Sequence, residues 1–420
     1  MSSWRPLVVA LLVVVFAAIN GANALHKGGD FEVFLQSGQR VLERQALYEG
    51  SSPGSGVIGP PFQGVFFVPF AAIAHAPHRA AAILWYLLNL IALAAGVYWW
   101  TRANQAPLRE RLWDQPAVLL PLLAVILPAQ TNFEHQNINA LLLALTGAAA
   151  WSWTRGHSAA SGALVGLAAA LKAFPALLLV VFLVRRDWRA LASGVLTGMM
   201  LSASPALWYG PGAVVPLFRR WLEVSAEGGW PTRVQNQSIV AMTSRSWPHT
   251  TSIAFALIAI LCVILILTVW RSRDGQRGPT TKAAALALAL AVAVLASPIA
   301  WDHYWLLMLP ALQAIYVASR ALKSQLLRWG FWVAALLISG LAPLTIGTRG
   351  FEIARSWSNS TIAGLLIFVT LAVTIWISRL PRCSPREYGP SWVNTRIERT
   401  LRLRAAARSA SSHASCSTRS

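Results

Sequence analysis

Long apolar runs recur along almost the whole chain and constrain its fold more than any other feature. A helix needs about 20 apolar residues to cross the hydrocarbon core of a bilayer, and these runs approach or reach that length between charged residues or Gly/Pro breaks. The pattern predicts an all-α integral membrane protein with about twelve transmembrane helices. The predicted spans are residues 6–24, 57–77, 80–101, 115–131, 138–154, 158–184, 190–216, 250–270, 283–300, 304–319, 329–348 and 358–378.

The composition argues against a soluble protein. Apolar residues make up 56% of the chain and charged residues 12%, with a mean hydropathy of +0.53, whereas charged residues supply about 25% of a soluble domain. A net charge of +20 would suggest nucleic-acid binding in a soluble protein. Here the basic residues lie in short loops and in the C-terminal tail, so we expect contact with anionic lipid head groups and no nucleic-acid partner.

No sequence motif indicates a metal or a nucleotide cofactor. Cys262, Cys383 and Cys416 have neither metal-ligand spacing nor the pattern of a disulfide framework. The sequence also lacks a Walker loop, an HExxH motif and a GxSxG motif. We therefore expect a protein that uses no metal and no cofactor.

The distribution of Lys and Arg predicts the orientation in the membrane. Twelve spans starting from a cytoplasmic N-terminus put more basic residues inside and most acids outside. We therefore expect both termini in the cytoplasm of a plasma- or inner-membrane protein, with residues 6–24 as a retained signal anchor. The alternative is a signal peptide cleaved after the small residues Ala22 and Ala24. This count puts Arg102, Arg109 and Arg111 outside, against the trend, and the polar cluster at 134–137 inside. Only a re-entrant neighbouring run would bring that cluster to the outer face.

The chain is expected to divide into a membrane domain, 1–378, and a basic, disordered cytoplasmic tail, 379–420. Two outer loops, 25–56 and 217–249, are long enough to hold structure. Apolar residues recur at helical spacing in the first loop, with charged and amide side chains between them. This pattern predicts an amphipathic helix that lies in the membrane interface.

Asp30 is one of only five aspartates in the chain and stands just beyond the first apolar run, in HKGGDFEVF. An Asp directly before an amphipathic helix often caps the free N–H groups of its first turn. The same carboxylate could serve as a general base on the outer face. The two interpretations are compatible.

Lys172 lies within an apolar run, in GLAAALKAFPALLL. A cation at such a position is costly and should face a polar cavity or a partner. A break at Phe174-Pro175 would instead allow the side chain to reach an interface.

Further polar residues lie close to the ends of predicted spans. Asp302 and His303 fall between two spans and could be catalytic or simply solvated. The loop 217–249 contains Asn236, Gln237 and Arg245. Arginine binds phosphate well because its donors form a planar fork, although ordinary loop polarity also explains this set.

Several segments, taken in order, carry a resemblance to a known family. They are GGDFEVF, LERQALYEG, GPPFQGVFFVPF, HQNINALLLAL, GALVGLAAALKAFPALLLVVFLVRRDWRAL, NQSIVAMTSR and SPIAWDHYWLLMLP, spread over residues 5–378. This series resembles glycosyltransferase family 87, the polyprenol-phosphate-mannose-dependent alpha-1,2-mannosyltransferases with the GT-C membrane fold.

The resemblance implies a GT-C-type fold whose active site lies on the outer face of the membrane, with Asp30 as the catalytic base. It implies donor phosphate and sugar contacts from Lys172, His303 and Arg245. Possible substrate contacts are Glu32, Gln136, Asn236, Gln237 and Asp302. The usual GQxN motif reads HQNIN here, and the missing glycine leaves the role of Gln136 and Asn139 open.

The chemistry of the implied donor agrees with this set of residues. Glycoside hydrolysis needs two carboxylates, one of which protonates a poor leaving group. A polyprenyl-phosphate sugar already carries a good leaving group, so one base for the acceptor hydroxyl and cations for the departing phosphate suffice. The expected partners are a polyprenyl-phosphate sugar donor, a glycolipid or glycan acceptor and the lipid bilayer, and direct displacement predicts inversion at the anomeric carbon.

Two alternatives remain at the level of sequence. A related GT-C enzyme could use another lipid-phosphate sugar, such as an arabinofuranosyl or glucosyl donor. A polytopic transporter or flippase would also have many spans and buried ions, but it should show repeat symmetry and needs no structured outer helix.

Overall fold

The computed structural model describes residues 14–24, 29–51, 56–74, 78–104, 115–226, 232–247, 251–275 and 279–377. These residues belong to one compact unit. The predicted tail, 379–420, lies outside the described residues.

All regular elements in the described ranges are helical. Short 3-10 segments occur at Phe174–Leu177, Pro211–Ala213 and Asp302–Met308, and a π-helical segment at Leu336–Gly340. The α-helices are α1 (Val14–Ala24), α2 (Gly29–Leu42), α3 (Pro61–Ala74), α4 (His78–Ala103), α5 (Pro116–Ala124), α6 (Ile126–Glu134), α7 (Asn139–Thr154), α8 (Ser158–Leu171), α9 (Leu178–Val184), α10 (Trp188–Ala203), α11 (Ala206–Tyr209), α12 (Val214–Ala226), α13 (Ile239–Ser246), α14 (Thr251–Gly275), α15 (Pro279–Ala296), α16 (Leu309–Ala321), α17 (Gln325–Ala335), α18 (Pro343–Ser356) and α19 (Asn359–Ile377).

Four helical segments of the described chain are long and apolar enough to cross a membrane by themselves. They are Arg79–Ala103, Trp188–Tyr209, Thr251–Arg273 and Asn359–Trp376. Two bent pairs raise the number to six if each pair is one span: α5 with α6, bent by 59°, and Gln325–Gly340 with α18, bent by 85°. The prediction of an all-α membrane protein is confirmed. The count of twelve spans is not established by these lengths.

The predicted amphipathic helix of the first outer loop is present as α2, and α3 packs antiparallel against it. The Phe31 ring lies near Phe67 and Phe70, with centroids 6.3 and 6.4 Å apart. Gly38 permits the close approach, because a Cβ there would lie 2.6 Å from the Phe67 carbonyl oxygen. The segment predicted as a second span, 57–77, is therefore a 14-residue helix paired with α2. At 1.5 Å per residue it is about 21 Å long, and its pairing with α2 keeps it on the side of the bundle that carries Asp30.

Helix α4 starts beside the polar cluster at 134–137 and runs parallel to α7. Near its start, the Trp85 indole donates a hydrogen bond to the Gln136 carbonyl at 2.7 Å. Near its end, Trp100 packs on Gly147, where a Cβ would lie 2.8 Å from the ring. Arg102 therefore lies at the opposite end of the bundle from Gln136.

The polar cluster at 134–137 contacts Asp30 directly, contrary to the prediction from counting spans. The Asp30 amide donates a hydrogen bond to the His135 carbonyl at 2.9 Å. The reason is the course of the chain between Asp30 and this cluster. Because α3 folds back on α2, the first long helix that leaves the end of the bundle carrying Asp30 is α4. The bent α5–α6 pair then returns to that end. We call this the site end. Arg102 lies at the other end, so it does not share a side with Asp30 as the span count predicted; Arg109 and Arg111 lie outside the described residues.

The predicted span 158–184 is a helical hairpin with Lys172 at its tip. Ser158 donates a hydrogen bond to Asp187 at 2.7 Å, so the two ends of the run lie close together. Lys172 between them reaches Asn139 at the site end, 3.0 Å away. The run therefore contributes α8 in one direction and Phe174–Val184 in the other.

Cations gather at the end of the bundle opposite Asp30. The Trp153 indole, near the end of α7, donates a hydrogen bond to Asp187 at 2.8 Å, and Lys282 donates to the Trp153 carbonyl at 3.1 Å. Arg185 donates to the Ser272 hydroxyl at 2.9 Å. We call the end that holds Arg185 and Lys282 the basic end.

The second predicted outer loop packs on the α2–α3 pair at the site end. The Trp221 indole on α12 donates a hydrogen bond to the Ile58 carbonyl at 3.1 Å. The Tyr209 hydroxyl donates to the Gln45 carbonyl at 2.9 Å. Both long loops therefore lie on the side of the bundle that carries Asp30.

Candidate active site

Asp30 lies at the start of α2 with its carboxylate directed away from that helix. The Asn137 amide donates a hydrogen bond to Asp30 Oδ2 at 2.5 Å. In the described chain, no hydrogen bond joins the Asp30 carboxylate to the N–H groups of α2, so the capping interpretation finds no support. The side chain is 36% exposed, which leaves the carboxylate reachable by a substrate.

Gly29 allows this approach. Its φ is +56°, and a Cβ would lie 2.8 Å from both the Cα and the carbonyl oxygen of His135. Any other residue would separate α2 from the 135–138 turn and lengthen the contact between Asp30 and Asn137.

The turn at 135–138 depends on Gln136, which adopts a left-handed φ of +49°. Its amide nitrogen donates to the Ala24 carbonyl at 3.3 Å, and its own carbonyl accepts the Trp85 indole at 2.7 Å. Gln136 is 1% exposed. It therefore supports the turn from behind, while the neighbouring Asn137 faces the site.

Lys172 projects from the end of α8, where the backbone is extended with φ −155° and ψ 120°. Its ammonium donates to the amide oxygens of Asn139 at 3.0 Å and of Asn137 at 3.3 Å. It also lies 3.7 Å from the centroid of the Tyr304 ring, a cation–π contact. Asn137 thus joins Asp30 to Lys172 with the two ends of one amide group.

His303 also lies beside Asp30, with Nε2 3.7 Å from Oδ2, the oxygen that Asn137 contacts. It is 3% exposed, and neither ring nitrogen has a hydrogen-bond partner in the described chain. The Asn139 amide donates to the His303 carbonyl at 3.1 Å and fixes this segment against α7. Burial, followed by the positive charges of Lys172 and His135, lowers the pKa of His303 well below 6.5, so the imidazole is neutral.

Asp302 forms an ion pair rather than lining an open site. Its carboxylate pairs with Arg355 of α18, and Arg355 also contacts Glu352 at 2.8 Å. Burial raises the pKa of the Asp302 carboxyl, and the pairing with Arg355 opposes that rise. Arg355 was not singled out by the sequence, where it is one of many basic residues near span ends.

Asn236, Gln237 and Arg245 connect the second outer loop to its neighbours. The Arg245 guanidinium donates to the Asn236 carbonyl at 2.8 Å and to the Ser358 hydroxyl at 2.6 Å. The Gln237 amide donates to the Arg355 carbonyl at 2.9 Å, and the Asn236 amide to a backbone carbonyl at residue 298, 3.2 Å away. Their hydrogen bonds go to these segments rather than to Asp30.

Of the sequence-predicted site residues, the structure brings together Asp30, Lys172 and His303. Glu32 is exposed on α2, and a residue two positions from Asp30 on a helix does not share its face. The sequence did not assign roles to Asn137 or Tyr304, which complete the cluster. Within the described ranges, no group of three or more His, Cys, Asp or Glu residues could hold a metal ion.

Comparisons with known proteins identify the family. The model of glycosyltransferase family 87 matches residues 58–298. A polyprenol-phosphate-mannose-dependent alpha-(1-2)-phosphatidylinositol mannoside mannosyltransferase of Mycolicibacterium smegmatis is 28% identical over 83% of this chain and 83% of its own. The enzyme of that name from Mycobacterium tuberculosis is 28% identical over 68% of this chain and 69% of its own.

A second M. smegmatis relative is a polyprenol-phosphate-mannose-dependent alpha-(1-2)-phosphatidylinositol pentamannoside mannosyltransferase, 26% identical over 88% of this chain and 89% of its own. No solved structure matches the chain significantly. Since the family model covers more than half of the sequence, this chain is a member of glycosyltransferase family 87.

Proposed function

We propose that the protein transfers a mannosyl group from a polyprenyl-phosphate donor to a phosphatidylinositol-mannoside-type glycolipid, forming an alpha-1,2 linkage. The relatives' names supply the donor, acceptor and linkage. The observation that carries the proposal is the chain of contacts from Asp30 through Asn137 to Lys172, which places one carboxylate and one cation on either side of a single amide group.

Asp30 is the general base. A carboxylate oxygen takes the proton of the acceptor hydroxyl while the hydroxyl oxygen bonds to the anomeric carbon of the donor. The bond from that carbon to the phosphate oxygen breaks, and its electron pair leaves with the polyprenyl phosphate. Attack opposite the leaving group inverts the configuration. No second carboxylate is needed, since the phosphate departs without being protonated.

Lys172 stabilises the negative charge on the departing phosphate. Its ammonium has one face against the Tyr304 ring and two donors on Asn137 and Asn139, which fixes its position before the donor binds. A charge held in place costs little reorganisation during the reaction. His303 presents unpaired ring nitrogens beside Asp30, and these suit a sugar hydroxyl.

Asn137 orients the base. By donating to Asp30 Oδ2, it holds one carboxylate oxygen, so the other can receive the proton. The position where the usual motif has glycine, His135, has a right-handed φ of −89°, which does not require a glycine.

The site end faces the outside of the cell in this proposal. Arg102, Arg155, Arg185 and Lys282 lie at or near the other end, and clustered Lys and Arg mark the cytoplasmic side. Counting α8 and Phe174–Val184 as crossings, because they run between the basic end and the site end, divides 158–184 into two, and the pairing of α3 with α2 removes the predicted span 57–77. The total then stays at about twelve, with both termini cytoplasmic and a GT-C-type arrangement.

Donor profiling tests the reaction. Membranes containing the protein are supplied with mannosyl, glucosyl and arabinofuranosyl forms of polyprenyl phosphate and a phosphatidylinositol mannoside acceptor, and the product linkage is read by NMR. We expect a new alpha-1,2-mannosyl bond and little product from the other donors. Product from another donor alone would reassign the sugar, and movement of lipid-linked sugar without a new glycosidic bond would indicate a transporter.

A further inference from the structure

A cavity of about 120 Å³ lies between α5, α16 and α17, remote from Asp30. Its position follows from α16: Gln313 bonds with Thr101 and Asn104 at the end of α4, and Arg320 lies about two turns further along the helix. The cavity is therefore at the basic end of the bundle.

Two arginines that line the cavity have no counter-ion among the described residues. In the described chain, neither Arg320 nor Arg328 has a hydrogen bond or an ion pair through its guanidinium, and Nε of Arg328 is buried without a partner. Ser319 lies in the same wall, with its hydroxyl donating to the Tyr316 carbonyl at 2.7 Å. An unpaired buried donor is costly, and two forked cations form a recognition set for a phosphate group.

The apolar part of the cavity continues onto a lipid-facing surface. Leu120, Phe331 and Trp332 line the cavity. Outside it, α17 exposes Leu326, Trp329 and Val333, which recur at spacings of three or four residues and so share one face of the helix. Exposed tryptophans beside arginines are typical of a helix at the level of lipid head groups.

We propose that this cavity binds the phosphate of an anionic phospholipid headgroup, with the acyl chains lying along the exposed face of α17. Basic pockets between membrane helices on the cytoplasmic side are suited to such head groups. The site is separate from the reaction at Asp30 and does not depend on the identity of the sugar donor.

The test compares three forms of the full-length protein in detergent: the wild type, an Arg320→Gln/Arg328→Gln variant, and an Arg155→Gln/Arg189→Gln control that removes the same charge from exposed positions. Thermal unfolding is followed after adding phosphatidylglycerol, phosphatidylcholine or inorganic phosphate, and bound lipid is counted by native mass spectrometry. We expect phosphatidylglycerol to raise the Tm of the wild type and the control by about 2–4 °C. The cavity variant should lose this rise and the bound lipid.

The separate additions distinguish the source of the phosphate. If inorganic phosphate gives the same Arg320- and Arg328-dependent rise and phosphatidylglycerol adds nothing, the site takes a free phosphate and the lipid assignment is overturned. An equal response of all three proteins to phosphatidylglycerol, or none in the wild type, also overturns it. The single variant Arg320→Gln, at an exposed residue, provides the comparison if the double variant does not fold.

Discussion

At the scale of single residues, the site depends on the groups that contact Asp30 and Lys172: the Asn137 amide, the His303 imidazole and the Tyr304 ring. Asn137 joins the carboxylate to the ammonium without letting them form a direct ion pair. A direct pair would occupy both groups and leave neither for a substrate. The neutral His303, 3.7 Å from the carboxylate, adds polarity without a competing charge.

Removing the Lys172 charge should slow the reaction. For Lys172→Gln we expect kcat to fall by about 10²–10³-fold, the range for loss of one charge-stabilising donor, because the departing phosphate loses its cation. Steady-state kinetics with polyprenyl-phosphate mannose measure this. The exposed Lys323→Gln variant is the matched control and should retain its rate; a fully active Lys172→Gln protein would remove Lys172 from the mechanism.

His303 should make the stability of the protein depend on pH. Its folded-state pKa lies well below the unfolded value of 6.5, so between the two values the unfolded chain binds more protons. The contribution is fully present above about pH 6.5 and is lost as pH falls towards the folded pKa. Thermal unfolding from about pH 7.5 to about pH 5 should show a steeper fall in Tm for the wild type than for His303→Gln. Parallel curves would contradict this assignment.

Some residues of the candidate site could be identified from the sequence and others could not. Asp30 and Lys172 stand out because an acid beside an apolar run and a cation within one are rare and costly. Asn137 and Tyr304 carry no such signal, since a neutral polar side chain or a tyrosine near the end of an apolar run is common in membrane proteins. Arg245 had the right chemistry for phosphate but is occupied by the backbone of its own loop, and only three-dimensional contacts show this.

At the scale of helices, apolar length alone did not distinguish crossing helices from buried ones. The run 57–77 is apolar because α3 packs against α2 and the bundle, and the run 158–184 contains two helices that turn at Lys172. The two differences have opposite effects on the number of crossings that the sequence predicts. The helix predicted in the first outer loop is confirmed as α2.

The close packing of α2 on α3 can be tested through Gly38. Gly38→Ala should destabilise the protein by about 1–3 kcal/mol, because the new methyl group overlaps the Phe67 carbonyl and forces the helices apart. Gly212→Ala is the control, since a Cβ there meets nothing within 4 Å. Thermal unfolding of both variants measures the difference, and equal Tm values would show that the α2–α3 contact is looser than described.

At the scale of the whole molecule, the two ends of the bundle differ in chemistry. The site end carries Asp30, Asp302 and the two long loops, whereas Arg185 and Lys282 lie at the basic end. This asymmetry explains the exception in the Lys and Arg count. Arg102 was counted on the same side as Asp30, but it lies at the basic end of α4.

Cysteine labelling tests the orientation. In a background without Cys262, Cys383 and Cys416, we expect Glu49→Cys to react with a membrane-impermeant maleimide in intact cells. Arg155→Cys, at the basic end, should react only after permeabilisation. The reverse pattern would put Asp30 in the cytoplasm and exclude an outer-face reaction.

The most direct measurement is the rate of mannosyl transfer by purified Asp30→Asn protein, with Glu43→Gln as a control that removes an exposed acid from the same loop. Asparagine keeps the shape of the side chain but cannot accept the proton, so we predict a fall of about 10²–10⁴-fold in kcat, with donor binding and Tm retained. Turnover of Asp30→Asn at the rate of the wild type and of Glu43→Gln would contradict Asp30 as the general base.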